Sequence, residues 1–391
     1  MSTASVLTGY PRTNGRWGFR NYILLLPLHN ALNRIVDEVR SNHPAGPIIT
    51  SVSHDWSGEV DKDWGRISKV FSGFAVNPNV AATIFIGIGS ASEEQIVSAA
   101  RLRREMPIHY ITLQQLGSFT ALQEEVSNSI TEIFPTVANM KREPAPWSAL
   151  VLGLECGGSD AYSGITANPA LGVASDKFVG LGATSILAET MEILGAEHLL
   201  AARAITPEVG RAIVDVVARY ERSITYEGID IRGAQPSRGN IEGGLTTLEE
   251  KSLGAAKKAG NAPFTGVLDY ADVPTAAGLY FMDTPGHDIE QLTGFAAADV
   301  NITVFTTGRG TPTGSAVIPT IKVATNTEMA VALPDLIDLN AGTIADGTET
   351  LSEVGGRIFQ EIIDVANGKL TAAERGGHRE FNLSRLYGST Q

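Results

Sequence analysis

Cysteine is almost absent from this chain: Cys156 is the single one in 391 residues. That excludes an internal disulfide and agrees with a reducing cytoplasm. Long hydrophobic runs are missing too. The longest, such as 22–28, have the length of a strand, well short of the roughly 20 apolar residues that span a bilayer. The start, Met1-Ser2-Thr3-Ala4-Ser5, has no basic segment followed by an apolar one, so no signal peptide is expected. Basic residues are in deficit, with 30 Lys and Arg against 43 Asp and Glu and a net charge of −13. This argues against nucleic acid or an anionic membrane surface as partner. A small anionic substrate stays open, because a few local Arg and Lys side chains can line a positive pocket. Neither an internal repeat nor a low-complexity segment is present.

What is present fits two or three domains of ordinary soluble composition. In the first third, 22–28, 47–52, 83–88 and 108–112 read as strands. Helical patterns at 31–41, 64–72 and 93–106 separate them, and 118–134 adds another. Such alternation predicts an α/β domain with a largely parallel sheet. Two prolines and a charge cluster at 141–147 suggest a linker between domains at 1–140 and 148–391. In the second domain, strands are expected at 149–154, 184–187, 266–270, 278–282, 302–306 and 320–324, with helices at 174–181, 207–224, 248–259 and 353–366. The fold class expected is therefore two α/β domains with largely parallel sheets and an active site between them. The polar tail 376–391 carries Phe381 and Leu386-Tyr387, which suggests that it docks on the body.

The richest segment is Glu155-Cys156-Gly157-Gly158-Ser159-Asp160, continuing to Ala167-Asn168-Pro169, directly after the apolar run 149–154. Glycines 157 and 158 let backbone N–H groups approach an anion, and Glu155 and Asp160 could hold a metal or move a proton. The same residues also make a capped strand-to-helix turn, and both readings stand at this level. Asn240–Lys251 places Gly243-Gly244 before a helix capped by Thr246 or Thr247. Asp283-Thr284-Pro285-Gly286-His287-Asp288 offers Asp283 and His287 as metal ligands or an acid/base pair, or else a surface turn. Thr306-Thr307-Gly308-Arg309-Gly310-Thr311 suits an anion, since a guanidinium grips carboxylates in a two-pronged geometry. No Lys-Ser/Thr pair follows Gly314 and no third glycine follows Gly87 and Gly89, which argues against a nucleotide site. His29 and His54 each follow a strand end, the rim where open sheets build sites.

Taken in order, these segments resemble the altronate/galactarate dehydratase family, which includes the large subunit of sulfolactate sulfo-lyase. The likeness runs from Gly9-Tyr10, Gly15-Arg16 and Arg20-Asn21 to Phe381. It is most specific at 155–169, 239–254, 282–286, 305–310, 319–327 and 342–348. It implies a lyase that removes water, or sulfite, from a small hydroxy acid to give a 2-keto acid. A divalent metal (Fe²⁺, Mn²⁺ or Mg²⁺) is implied as cofactor. Many members carry a SAF-type domain ahead of this region or as a separate chain, so a small SAF-domain subunit is expected as partner, together with a homo-oligomeric assembly.

On this resemblance the catalytic candidates are His54, Glu155, Asp160, Asp283, His287 and Lys251. Arg20, Asn168, Thr306, Thr307, Arg309 and Lys322 are the substrate-binding candidates, and His29, His54, Glu155 and Asp160 the metal ligands. His54 or His287 would carry a proton, and Lys251 and Lys322 could act as bases if burial lowers their pKa. The chain departs from the family where cysteines are expected: residues 29–31, 55–57, 89–90 and Ala341 hold none. A site built here would use oxygen and nitrogen ligands instead. A sulfo-lyase subunit and a non-catalytic carboxylate-binding subunit are the alternatives to a sugar-acid dehydratase.

Overall fold

Parallel strands need crossover helices that cover both faces of the sheet, and the alternating pattern of this chain supplies them. The computed structural model describes residues 7–58, 62–226 and 235–384. Strands β1 (Leu7–Pro11) and β2 (Trp17–Gly18) pair antiparallel. Strands β3 (Tyr22–Pro27), β4 (Ile49–Ser51), β5 (Val80–Gly87) and β6 (Ile108–Thr112) form a parallel sheet in the order β4-β3-β5-β6. Strand β7 (Glu143–Ala145) lies inside the expected linker and pairs with β1, so the crossing between domains is itself hydrogen-bonded.

The second sheet has seven parallel strands: β8 (Val151–Gly157), β9 (Thr184–Leu187), β10 (Phe264–Leu268), β11 (Gly278–Met282), β12 (Ile302–Thr307), β13 (Thr320–Ala324) and β14 (Leu339–Asn340). Their order is β10-β11-β9-β8-β12-β13-β14. The mixed α/β class with two parallel sheets is thus the one that the sequence predicts. A helix at Asp288–Ala297, which follows β11, was not anticipated. Pro285-Gly286 before it reads as a turn, and a ten-residue helix rich in Ala, Thr and Gly gives a weak periodic signal.

The two sheets share one apolar core. Leu24, Leu26, Trp56, Phe71 and Phe74 from the first pack with Phe295, Phe305, Ala316 and Val317 from the second. Phe381 from the tail meets Phe74 edge-on at 4.9 Å between ring centres. The expected Leu386-Tyr387 contact lies outside the described residues. Three buried asparagines stitch this junction. Asn79 accepts from the Phe19 and Arg20 backbone and donates to the carbonyls of Asn301 and Val317. Asn77 donates to the carbonyls of Ala296 and Val300, and Asn301 donates to those of Trp17 and Ala149. Among the described residues, no helix is long and apolar enough to cross a membrane.

Arg20 is a second tie. Its guanidinium meets Glu374 at 2.7 and 2.9 Å and donates to the carbonyls of Phe19, Val365 and Lys369. All five N–H donors of the fork are therefore taken by protein acceptors. Arg20→Ala should lower the unfolding free energy by about 3–5 kcal/mol, the loss typical when one partner of a buried ion pair is removed. Urea unfolding would measure it. A loss under about 1 kcal/mol would instead leave Arg20 free for the substrate role expected from the sequence.

Candidate active site

Strand order reverses around β8, whose neighbours are β9 on one side and β12 on the other. The crevice beyond the carboxyl ends of the strands at such a point is where open α/β sheets receive ligands. Strand β8 ends there in Glu155-Cys156-Gly157, and β12 in Thr306-Thr307. Side chains alternate along a strand, so Glu155 and Cys156 leave β8 on opposite faces. Val151 and Phe305 face the core shared with the first sheet, whereas Leu152 and Leu154 face the other core. Glu155 shares the first face and Cys156 the second.

On the Cys156 side stands a closed set of charges. Lys258, wholly buried, places Nζ 2.9 Å from Cys156 Sγ and 2.5 Å from Glu189 Oε2. Glu192 Oε2 lies 3.2 Å from the same sulfur, and Glu192 Oε1 takes Lys251 Nζ at 2.7 Å. Lys251 also donates to Gln235 Oε1 at 2.8 Å. Burial disfavours both ammonium groups, yet the carboxylates and the thiol around them hold their pKa values above normal. Burial likewise opposes the charge on Glu192, but Lys251 and Lys258 outweigh it and hold that carboxyl below its usual value. Burial and the adjacent Glu192 push the Cys156 thiol up, against the pull of Lys258.

The Glu155 side is different in kind. Glu155 is wholly buried and neither carboxylate oxygen has a hydrogen-bond partner. Glu155, Glu189 and Asp288 each present an oxygen within 4.8 Å of the others. Burial, then Glu189 and Asp288, drive the Glu155 carboxyl well above its usual pKa. Burial and Glu192 raise that of Asp288. Register places Glu155, Phe305 and Lys322 side by side on β8, β12 and β13, hence on one face. Lys322 Nζ lies 3.3 Å above the Phe305 ring centre and has no hydrogen-bond partner. Burial lowers its pKa to about 7, against the attraction of Asp288 and Glu155.

Glu189 belongs to both sides. It follows β9 in a left-handed conformation, φ 69°, which a non-glycine residue adopts only under constraint. The constraint is visible: its N–H donates to Thr284 Oγ1 at 2.8 Å, and the Thr190 N–H donates to the Thr284 carbonyl. Glu189 Oε2 goes to Lys258, while Oε1 is buried without a partner. Burial and Glu192 raise its pKa to about 8, in spite of Lys258.

Of the residues expected from the sequence, Glu155 lies in the cluster, with Lys251 on its Cys156 side and Lys322 in the same row. The expected metal set His29, His54, Glu155 and Asp160 is not assembled. Among the described residues the two groups able to surround an ion are Glu155-Glu189-Asp288 and Cys156-Glu189-Glu192. Asp160 is instead the knot of the motif loops, accepting from Ser163 Oγ, the Tyr162 N–H, Thr325 Oγ1 and Asn326 Nδ2. Its carboxylate sits where a Cβ on Gly308 would fall, which is why that loop needs glycine.

His54 is buried, with Nδ1 accepting from the Trp56 N–H and Nε2 against the Pro27 carbonyl at 2.8 Å. His29 Nδ1 accepts from the Ala31 N–H and caps a short helical turn. Asp283 is held by Arg219 and Thr190, both at 2.6 Å, and His287 is exposed at the start of the helix that carries Asp288. Asn168 and Thr306 bond each other at 2.5 Å, and Thr307 Oγ1 accepts the N–H groups of Gly310 and Thr311. Arg309 lies at the rim, bonded to the Gly239 carbonyl and to Glu242 at 3.1 Å.

Glu189, Glu192, Lys258 and Asp288 were not singled out as site residues. The signal for Glu189 was the rule already applied to His29 and Glu155, since it stands just past a strand end. Lys258 lies seven positions, two helical turns, after Lys251.

Two family models cover nearly the whole chain: D-galactarate dehydratase/altronate hydrolase, second domain, over residues 9–141, and D-galactarate/altronate dehydratase, C-terminal, over residues 147–389. The chain is 34% identical over 391 residues to the (2R)-sulfolactate sulfo-lyase subunit beta of Chromohalobacter salexigens, covering 97% of each. It is 39% identical over 303 residues to the galactarate dehydratase (L-threo-forming) of Escherichia coli, covering 75% of this chain and 58% of that protein. With the altronate dehydratase of Bacillus subtilis it shares 34% identity over 383 residues, 96% of this chain and 76% of the relative.

Proposed function

The chain belongs to the D-galactarate/altronate dehydratase family, and from that premise we propose that it is a hydro-lyase taking water from a small sugar acid to leave a 2-keto-3-deoxy acid. The observation that carries the reading is the row Glu155-Phe305-Lys322 with Asp288 and Glu189 beside it, at the reversal of strand order. Open α/β sheets bind their ligands at such an edge, and titratable groups gathered there with perturbed pKa values are the first candidates for acid/base work.

Elimination begins with loss of the proton next to the carboxylate, which builds a second negative charge on the substrate. Lys322 Nζ is our candidate to accept that proton, because a buried amine without a partner and with a pKa of about 7 is partly uncharged near neutrality. Lys251 does not serve, since Glu192 and Gln235 hold it as an ammonium. His287, exposed and adjacent to Asp288, is the residue able to bring a proton to the departing hydroxyl. Arg309 holds Glu242 at the rim and can exchange it for the substrate carboxylate without losing its pairing. Glu155, Glu189 and Asp288 are the residues that would hold a divalent metal, and the partnerless buried oxygens of Glu155 and Glu189 fit one. Bound there, it would supply positive charge for the dianionic intermediate.

Sulfite release is the second reading, favoured by the match over 97% of both lengths to a sulfo-lyase subunit. That relative is named as a subunit, so a small partner chain is part of this reading. The test is 2-keto acid release by the purified chain from aldonic, aldaric and sulfonated hydroxy acids, with divalent metal and with chelator. Release from an unsulfonated acid, lost on chelation, is expected. Sulfite would select the second reading, and silence across the panel with a small partner added would remove both.

A further inference from the structure

A cavity of about 370 Å³ opens at the amino edge of the first sheet, away from the motif loops at the carboxyl edge of the second. It lies where β1 and the amino ends of β3 and β4 meet the carboxyl ends of two helices, Phe119–Asn139 and Leu351–Ala366. Its walls are mainly apolar, from Phe19, Ile48, Val137, Met140 and Leu370, so residues from both sides of the linker contribute. That size, that lining and a place between domains are the marks of a small-molecule site. The polar side carries positive charge that the protein does not answer. Arg20 is paired with Glu374, whereas neither Arg142 on the wall nor Arg12 behind it meets a carboxylate among the described residues. Arg142 gives four N–H groups to the Thr8 hydroxyl and to the carbonyls of Thr8, Phe19 and Ala366. Arg12 goes to the carbonyls of Pro78 and Arg20 and to Asn21. Both guanidiniums approach the Tyr10 ring, at 5.3 Å from its centre for Arg142 and 5.6 Å for Arg12. Burial pulls the pKa of each down, that of Arg12 to about 9 with Arg104 adding to it. Two partly buried cations held by neutral acceptors alone are costly, and an anion would relieve them.

The wall leaves room for one. The fifth N–H of Arg142, on Nη1, takes part in none of those bonds. A Cβ on Gly368 would come to 4.0 Å from Nη1, so the glycine there, with φ 113°, leaves that nitrogen uncovered. The Tyr10 phenol adjoins Arg142 on the same wall and can donate as well. We propose that this cavity binds a small monocarboxylate with an apolar body, its carboxylate on Arg142 and Tyr10 and its hydrocarbon part against Val137, Met140 and Leu370. Two donors over an apolar floor suit a carboxylate, whereas a phosphate would bring more charge and more acceptors than the wall can meet. The site is separate from the candidate active site, and the inference does not rest on the lyase reading.

The experiment titrates benzoate, and separately pentanoate, into the full chain and follows saturation-transfer NMR. The wild type should give saturable transfer to at least one of these acids and none to benzyl alcohol, which keeps the ring and lacks the charge. Arg142→Gln should weaken binding roughly tenfold or more, the loss expected for a hydrogen bond to a charged group. Ala138→Trp should abolish it by filling the mouth of the cavity from an exposed helical position, where the change spares the fold. Arg309→Ala should bind as the wild type does. Binding that survives both Arg142→Gln and Ala138→Trp, or that vanishes in Arg309→Ala, would move the acid to the candidate active site and overturn the inference. Equal transfer to benzyl alcohol would take the charge out of the recognition and overturn it too. So would a folded wild type that shows no saturable transfer to either acid.

Discussion

Lys258→Met should lower the unfolding free energy by about 3–5 kcal/mol, the largest stability loss expected of any single change around the site. Lys258 is wholly buried and serves Cys156 and Glu189 at once. Methionine keeps most of the volume and removes the charge, so packing loss contributes little. What is left is Glu189 Oε2 facing the Cys156 sulfur and Glu192, with only Lys251 to offset them. Glu189 already has a pKa raised to about 8, chiefly by burial, and taking up a proton caps the penalty. Urea unfolding of both proteins at about pH 9, above the Glu189 pKa and with Lys258 still charged, gives the difference. A loss under about 1 kcal/mol would mean that Glu189 carries a proton in the native state and that the ion pair is nominal.

Glu155→Gln should do the opposite. Activity should fall by about 10²–10⁴-fold, the usual range for an acid/base or charge-bearing group, while stability holds or rises. Gln copies the shape of a protonated carboxyl, which is the form that burial and the neighbouring Glu189 and Asp288 impose on Glu155. The native chain keeps an unbonded buried carboxyl group at a stability cost, the pattern of a residue retained for function. Paired measurements of kcat/KM for keto acid release and of Tm decide the point. Intact activity in a folded Glu155→Gln protein would strip Glu155 of its role. A Tm drop with activity unchanged per folded molecule would make it a structural residue.

The contrast between these residues explains what the sequence could and could not reveal. Strands with a strong apolar signature were readable almost to the residue, as 108–112, 184–187, 278–282 and 320–324 show. Elements defined by pairing were not: β7 is three residues of Glu-Pro-Ala, recognisable only once β1 lies beside it. Glu155 was legible because it sits in a glycine-rich motif at a strand end, and Lys322 because it lies in the segment 319–327 that resembles the family. Asp160 and Arg309 sit in such motifs as well, yet the folded chain engages both with its own loops. A motif marks where loops converge, and only the fold says which side chains those loops use up. Lys258 and Glu189 carry no local motif. They meet across 69 residues of sequence, through a turn whose left-handed φ no pattern at 187–190 announces.

The junction between the two sheets has a consequence for how a substrate gets in. Proteins of two domains commonly open and close about a hinge, so that the cleft breathes as a whole. Here the asparagines at 77, 79 and 301 bind backbone on both sides of the boundary, and the aromatic core runs through it. Swinging one sheet from the other would strand several buried amides at once. Traffic to the end of β8 must therefore be controlled by the loops alone. The piece best placed for this is the short helix Arg238–Glu242, which rests on the motif loops through Asn240 to the Ser159 carbonyl and through Arg309. Its release breaks a handful of hydrogen bonds, one of them the buried Asn240–Ser159 contact, a small barrier beside that of parting the sheets. Turnover would then be timed by a latch a few residues long, with the framework around it standing still.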